Sequence, residues 1–389
     1  MITVAEAFSI LENLNFPKRI IEVSLWEARY HVLAETVVSP IDMPPFRQAT
    51  MDGFALCLHN SLPYEIVSEV KAGDVCNIAL QPGQAVKIFT GAAVPNSAQA
   101  VIPIEKVTVE KGTLQLQENI KPETNVRPKG AQIAQNEKAL ADGSLLNAAA
   151  VGFLAGLGVD RVKVYQKPSV AIVVTGNELV APGKALPEGK VYNSNTLMLQ
   201  TALWDAHFET INTYQVADDF ESTKAVLLQA INENDVVLVS GGISVGDYDF
   251  VGKALEQLGV TTLFYKVNQK PGKPLYAGQL NHKIILALPG NPAASLTCFY
   301  VYVLPTLQRY CGSQGGYGSD VQKTITHDFS VDNPRAQFLK ALVSNDEVTI
   351  LSHQDSAMLN SFAQANALVY LPEGKYKVHQ NDKVVLYTI

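Results

Sequence analysis

The sequence predicts a multidomain α/β plus β protein centred on a doubly wound, mainly parallel sheet. Strands largely alternate with helices between Ser169 and Tyr310, the pattern of a sheet covered on both faces. The segments before and after are rich in short β-type runs divided by Gly, Pro and Asn. With 389 residues, the chain is also long enough for two to four domains at about 150 residues each.

Thr3, with Glu6 three positions on, has capping-box spacing and opens a helix whose apolar residues recur through Leu14. A second helix is expected over Leu25–Leu33, before Pro40 and the Pro44-Pro45 break. From Ala55 to Arg127 the runs Tyr64–Val70, Gln84–Phe89, Ala100–Val109 and Thr113–Leu116 suggest a small inserted β domain. Pro168 opens the regular section. Ser169–Val174 is a continuous β-branched run suited to a strand buried on both faces. Helix Asn195–Phe208, strand Thr210–Val216, helix Glu221–Asn232 and strand Asp235–Ser240 follow. Helix Phe250–Leu258, strands Thr261–Val267 and Lys283–Leu288, and helix Ala293–Tyr310 complete it. Beyond the Gly312–Gly318 linker, Leu368–Leu371 and Lys383–Tyr387 point to a small antiparallel sheet or barrel.

Composition narrows the function. Thirty basic against thirty-seven acidic residues give a net charge of −7, which disfavours a nucleic-acid or anionic-membrane binder. No apolar run approaches the roughly 20 residues of a membrane span, and the first residues lack the basic start of a signal peptide. Cys57, Cys76, Cys298 and Cys311 form no Cys-x-x-Cys pair, so neither a disulfide framework nor a zinc knuckle is expected, and a reducing cytoplasm fits.

Ligands of open α/β sheets bind beyond the carboxyl ends of the strands. There the chain places Thr175-Gly176-Asn177-Glu178, Asp218-Asp219, the Gly241-to-Asp249 loop, Lys270-Pro271-Gly272-Lys273-Pro274 and Pro289-Gly290-Asn291-Pro292. Taken singly, Gly241, Gly242 and Gly246 read as turn glycines, Glu178, Asp218 and Asp249 as helix caps, and Lys270 and Lys273 as solvated. Together they suit a polyanion held with Mg²⁺, which takes a few carboxylates plus substrate phosphate oxygens. Neither a P-loop nor a Gly-x-Gly-x-x-Gly fingerprint is present.

Two further segments stand out near the N-terminus, PPFRQATMDGFA (44–55) and KIFTGAAVP (87–95). With NVRPKG, VTGNELV, YNSNTLML, SGGISVGDYD, KPGKPL and LPGNPAAS, they run through nearly the whole chain. In kind and order these segments resemble the molybdopterin molybdenumtransferase family, which includes the E-domain of gephyrin. The resemblance implies an elongated homodimer of four-domain chains. Residues 1–54 and 128–167 would form an extended N-terminal domain and 55–127 an inserted β-barrel-like domain. Residues 168–311 would form a three-layer α/β/α molybdopterin-binding domain, and 319–389 a C-terminal β-barrel.

The implied reaction inserts molybdate into adenylylated molybdopterin and releases AMP with Mg²⁺, at a site shared between the α/β domain of one subunit and the N-terminal and barrel regions of the other. Its catalytic positions fall on Asp52, Thr90, Glu178, Asp249, Lys266 and Lys270. Substrate binding falls on Gly241, Gly242, Ser244, Lys273, Pro274, Lys340 and Ser356, and the metal on Asp218 and Asp249. Two positions depart from the family pattern. Gln132 stands where an acid is usual, and Lys340 stands for an arginine, keeping charge but losing the planar fork suited to an oxyanion. Implied partners are a molybdopterin adenylyltransferase and molybdoenzymes that accept the cofactor, with no nucleic acid or membrane. An adenylyltransferase is itself an alternative reading, against which the PPFRQATMDGFA segment and the two β domains weigh. A receptor-anchoring scaffold is another, against which the acids Asp52, Asp218 and Asp249 weigh.

Overall fold

The computed structural model describes residues 1–60, 63–243, 250–331, 334–375 and 377–389, which form two compact units. Met1–Ile21 joins Tyr165–Ile389 in the first, and Glu22–Val164 makes the second.

The first unit holds a six-stranded sheet in the spatial order Ile211–Val216, Val170–Thr175, Val236–Ser240, Lys283–Leu288, Tyr276–Leu280, Thr261–Tyr265. The first four strands are parallel, and Tyr276–Leu280 runs against both of its neighbours. Val170–Thr175 and Val236–Ser240 are buried along their full length, as their β-branched runs predict. Alternate residues serve opposite faces. Val170, Ile172 and Val174 pack in one core with Leu199, Leu203, Phe299 and Tyr302. Ala171 and Val173 pack in the other with Leu227, Ile231, Val251 and Leu255.

Two elements differ from expectation. The strand Tyr276–Leu280 was not foreseen, because Gly278 and Gln279 dilute its apolar pattern; the turn at Asn281, with φ 54°, folds it back onto Lys283–Leu288. The helix expected over Ala293–Tyr310 is three pieces, Pro292–Cys298, a π-helical turn Phe299–Val303 and Leu304–Tyr310. Pro305 has no amide hydrogen to give back along the helix, and the wide turn before it absorbs the mismatch.

The N-terminal helix Val4–Glu12 carries the capping box read from the sequence, with Thr3 and Glu6 bonded reciprocally. Its Val4, Ala7 and Leu11 enter the core of the α/β layer, so residues 1–21 lie in this unit rather than with 22–54. At the sheet's opposite edge from the carboxyl ends, Arg19 pairs with Asp235 at 2.6 Å and reaches the Tyr310 hydroxyl, while the Ser169 amide donates to Asp235.

The C-terminal segment closes into a five-stranded barrel. Ala336–Ser344 pairs with both Glu347–Ile350 and Ala367–Leu371, and Gln322–Ile325 with Lys383–Thr388 completes the circuit. A sixth, two-residue strand, Gln269–Lys270, joins it in parallel, Gln269 opposite Ala336 and Lys270 opposite Gln337.

The second unit contains a six-stranded sheet ordered Ala100–Pro103, Gly53–Leu56, Gln84–Ile88, Tyr64–Val70, Thr113–Leu116, Val107–Glu110. The expected runs Tyr64–Val70, Gln84–Phe89 and Thr113–Leu116 are strands, whereas the run Ala100–Val109 is broken by the 3₁₀ turn Ile104–Lys106 into Ala100–Pro103 and Val107–Glu110, at opposite edges of the sheet. The helix expected over Leu25–Leu33 is not formed. Ser24 and Glu27 bond reciprocally like a helix start, but Tyr30 sits at φ 57° and donates its amide to Leu146, drawing the chain into extended pairing. Among the described residues no helix is long and apolar enough to cross a membrane.

Candidate active site

At the carboxyl ends of the parallel strands the first unit has a cleft of about 760 Å³. Its lining brings together five groups expected from the sequence: Glu178, Gly241, the Lys270-to-Pro274 turn with both lysines, Asn291 and Ser356. Four separate strand-end loops and one barrel loop supply them. Strand ends converge while their connections diverge, which is why such edges collect ligand groups.

The lysine turn is held from below. Gln269, fully buried, donates through Nε2 to the Pro271 carbonyl at 3.0 Å, and its Oε1 accepts the hydroxyl of buried Tyr302. Gly272 sits at φ 91°, and a Cβ there would lie 2.5 Å from Cys298 Sγ, so only glycine fits between the two lysines. Burial pushes the Cys298 thiol far up, and it stays a neutral packing group. Gly241 and Gly242 have φ of 94° and 64°, with Thr175 within 3.0 Å of either Cβ position. Gly241 lines the cleft, whereas Gly242 lies behind it against Val251.

Ser356 is placed by two bonds. Its Oγ accepts Asn291 Nδ2 at 2.8 Å, and its carbonyl accepts the Ala294 amide at 3.1 Å. With Oγ filled as an acceptor, the hydroxyl keeps its hydrogen for a ligand oxygen.

Asp218 is tied to the neighbouring loop: the Asn177 amide donates to its Oδ2 at 3.0 Å, and its own amide donates to Asn177 Oδ1 at 3.1 Å. The cap of helix Phe220–Glu233 is Asp219, which accepts from Ser222, so the capping role considered for Asp218 belongs to its neighbour. Asp218 does not line the cleft. Ser244 and Asp249 lie outside the described residues. Among those described, no three His, Cys, Asp or Glu side chains gather as a metal cage. Magnesium does not need one: a carboxylate or two plus substrate phosphate oxygens suffice, and Asp218 and Glu178 are hard oxygen donors of that kind.

Lys266 is not in the lining. Its Nζ lies 4.6 Å from the Tyr265 ring centroid, and its amide bonds to Leu275. Lys340 departs from expectation most. Only 3% exposed, it donates from Nζ to three carbonyls, His353 at 2.7 Å, Met358 at 3.1 Å and Asp355 at 3.2 Å. An ammonium has three hydrogens, and all are used inside the protein, so Lys340 does not face an oxyanion.

In the second unit, Asp52 Oδ1 accepts both the amide and the hydroxyl of Thr90, each at 2.7 Å. These bonds hold the Asp52 carboxyl below the usual carboxylate range. Gln132 is exposed, its amide bonded to Met43.

Sequence reasoning gave no role to three lining residues, Asn195, Thr175 and Arg335. Asn195 Nδ2 donates to Ser240 Oγ and to the Gly290 carbonyl, both at 2.8 Å. Its Oδ1 and the Thr175 hydroxyl are buried with no hydrogen-bond partner among the described residues. Buried polar atoms of this kind are ordinarily satisfied by ordered water or by a ligand. Arg335 adds a third cation to the lysines. No spacing signal marks any of them, since each is a single polar residue at an element's edge.

Comparison with known proteins agrees with this layout. Residues 2–158 match the model of the MoeA N-terminal region (domains I and II), 171–309 that of a probable molybdopterin binding domain, and 324–389 that of the MoeA C-terminal region (domain IV). The molybdopterin molybdenumtransferases of Staphylococcus epidermidis RP62A and Staphylococcus aureus MSSA476 are each 30% identical over 386 residues, covering 96% of this chain and 92% of theirs. Two crystal structures of a molybdopterin biosynthesis MoeA protein from Pyrococcus horikoshii superpose over the full chain, with TM-scores of 0.80 and 0.83 at 30% and 27% identity, covering 99% and 100% of those chains.

Proposed function

The chain belongs to the molybdopterin molybdenumtransferase (MoeA) family and is a transferase of molybdenum cofactor biosynthesis, and on that premise we propose that its cleft inserts molybdate into adenylylated molybdopterin with release of AMP. The observation that carries this reading is the convergence of Lys270, Lys273 and the Ser356 hydroxyl on one cleft, with Glu178 at its rim.

Molybdate is a tetrahedral dianion. Two ammonium groups on a turn that Gln269 and Gly272 fix, with a serine whose hydrogen is free to be donated, match its charge and its need for several donors. The organic substrate offers N–H and O–H groups, which suit the Asn195 Oδ1 and the Thr175 hydroxyl of two lining residues. Asp218, together with Asp249, would hold Mg²⁺, which when bound polarises a phosphoanhydride and neutralises the leaving phosphate. Asp52 stays ionised through its two Thr90 bonds and serves as a fixed negative charge, not a proton donor, near neutral pH. The proposal includes a homodimer as the working form.

The test is incubation with adenylylated molybdopterin, molybdate and Mg²⁺ while AMP is followed. Molybdate-stimulated AMP release is expected. AMP release indifferent to molybdate would overturn the proposal.

A further inference from the structure

We infer that Lys340 is a positioning residue, whose ammonium is the internal hub around which the cleft-lining loop Leu351–Met358 folds. This inference rests on reading the cleft as the molybdate receptor only for its kinetic arm.

The loop makes one side of the cleft through Asp355 and Ser356. It contains almost no regular structure, and His353 takes φ 59°, so its shape must be set from inside. Lys340 and its neighbour in space, Gln354, supply that. Lys340 Nζ reaches the carbonyls of His353, Asp355 and Met358, three points spread along the loop, from one atom. The backbone of Lys340 is clamped as well: its amide donates to Gln354 Oε1 at 2.9 Å, and its carbonyl accepts Gln354 Nε2 at 2.9 Å. Gln354 Nε2 also binds the Leu351 carbonyl at 2.8 Å, and Ser361 Oγ donates to the His353 carbonyl at 2.8 Å.

Charge makes the ammonium more than a filler. A buried cation costs free energy unless it is hydrogen-bonded, and here the three carbonyls are the compensation. The loop therefore cannot open without stranding the charge, and removing the charge takes one donor from each of three carbonyls, leaving His353 and Met358 to share the Ser361 hydroxyl and Asp355 with the Met358 amide. Shape matters equally. Three donors diverging from one nitrogen fit three carbonyls that converge on a point, whereas a planar guanidinium spreads its donors along a fork. This explains why lysine stands at a position where a direct oxyanion contact would favour arginine.

The experiment compares the full-length protein with Lys340→Met, Lys340→Arg and Ser356→Ala. Hydrogen exchange is read over residues 351–358, and molybdate is titrated at saturating adenylylated molybdopterin. Lys340→Met and Lys340→Arg are both expected to speed exchange in the loop and to raise half-saturating molybdate about ten-fold, the worth of roughly one charge-assisted hydrogen bond. Half-saturation by the organic substrate should stay within about two-fold, because the lysine turn and Asn195 are untouched. Ser356→Ala should raise half-saturating molybdate with exchange unchanged, separating the group that touches the anion from the one that places it. Lys340→Arg with lower half-saturating molybdate and unchanged exchange would overturn the inference in favour of direct contact. Should Lys340→Met not fold, Lys340→Arg decides alone. If no form responds to molybdate, the cleft reading fails while the exchange data still decide the role of Lys340.

Discussion

Replacing Gly272 by alanine should damage the first unit by two separable effects. The residue sits at φ 91°, where an L side chain costs about 1–2 kcal/mol. The added Cβ would also lie 2.5 Å from Cys298 Sγ and 2.8 Å from Gln269 Nε2. Gln269 cannot withdraw without breaking its bonds to Pro271 and Tyr302, so the overpacking adds about 1–3 kcal/mol, for a total of roughly 2–5 kcal/mol. Cys298→Ala deletes the nearer atom and leaves a small void costing about 1 kcal/mol. In the double variant the new methyl occupies that void, so the two changes should couple favourably by about 1–2 kcal/mol while the backbone cost remains. The measurement is urea unfolding followed by Trp204 fluorescence in a Trp26→Phe background, since these are the chain's two tryptophans and only Trp204 lies in this unit. Additivity of the two changes within about 0.5 kcal/mol would refute the packing account of the lysine turn.

Thr90→Val removes the hydroxyl bond to Asp52 and should move its carboxyl back up toward the ordinary value of 3.8, readable by NMR titration of that side chain. At Asp235 burial alone would raise the carboxyl, but the Arg19 bond, the Ser169 amide and the Arg19 charge outweigh it, so the folded value is lowered. That contribution is full above the unfolded value and is lost as pH falls through the folded one. Asp235→Asn should therefore destabilise the protein at neutral pH, with the gap to wild type closing in acid below pH 3.8, as urea midpoints across pH would record. Asp218→Asn keeps an oxygen for the Asn177 amide but drops the charge, and should raise the Mg²⁺ concentration for half-maximal AMP release about ten-fold while leaving the urea midpoint in place.

Much of the fold was legible because burial leaves a compositional trace. Val170–Thr175 is apolar on every residue because both faces are covered, and Thr3 with Glu6 announces a helix start through side chains that bond the backbone. Local signals failed where distant partners prevailed. Ser24 and Glu27 start a turn correctly, yet the Leu146 carbonyl takes the Tyr30 amide and ends it. The strand-end loops were legible as a ligand edge, and the cleft gathers Glu178, Lys270 and Lys273 from them, with Ser356 added from a barrel loop. Depth was not legible. Nothing in Phe338-Leu339-Lys340 distinguishes a cation aimed at a ligand from one buried under three carbonyls, because that depends on how a loop eleven or more positions later folds over it. Asn195 and Thr175 stood in segments picked out from the sequence but were given no role, since small polar residues at element ends ordinarily serve as caps.

The pairing of Gln269–Lys270 with the first residues of the Ala336 strand has a consequence for how this molecule can be dissected. The lysine turn belongs to the α/β segment by position in the chain, yet its first two residues complete the hydrogen bonding of the barrel. Asn268 adds a carbonyl that accepts the Ala336 amide at 3.1 Å, and a side chain bonded to Glu373. Cutting the chain in the Gly312–Gly318 linker would leave an α/β fragment whose lysine turn has lost the template that aligns it. A chimera that exchanges barrels between relatives should therefore carry residues 268–273 along with the barrel, treating them as a transplanted edge and not as part of the host.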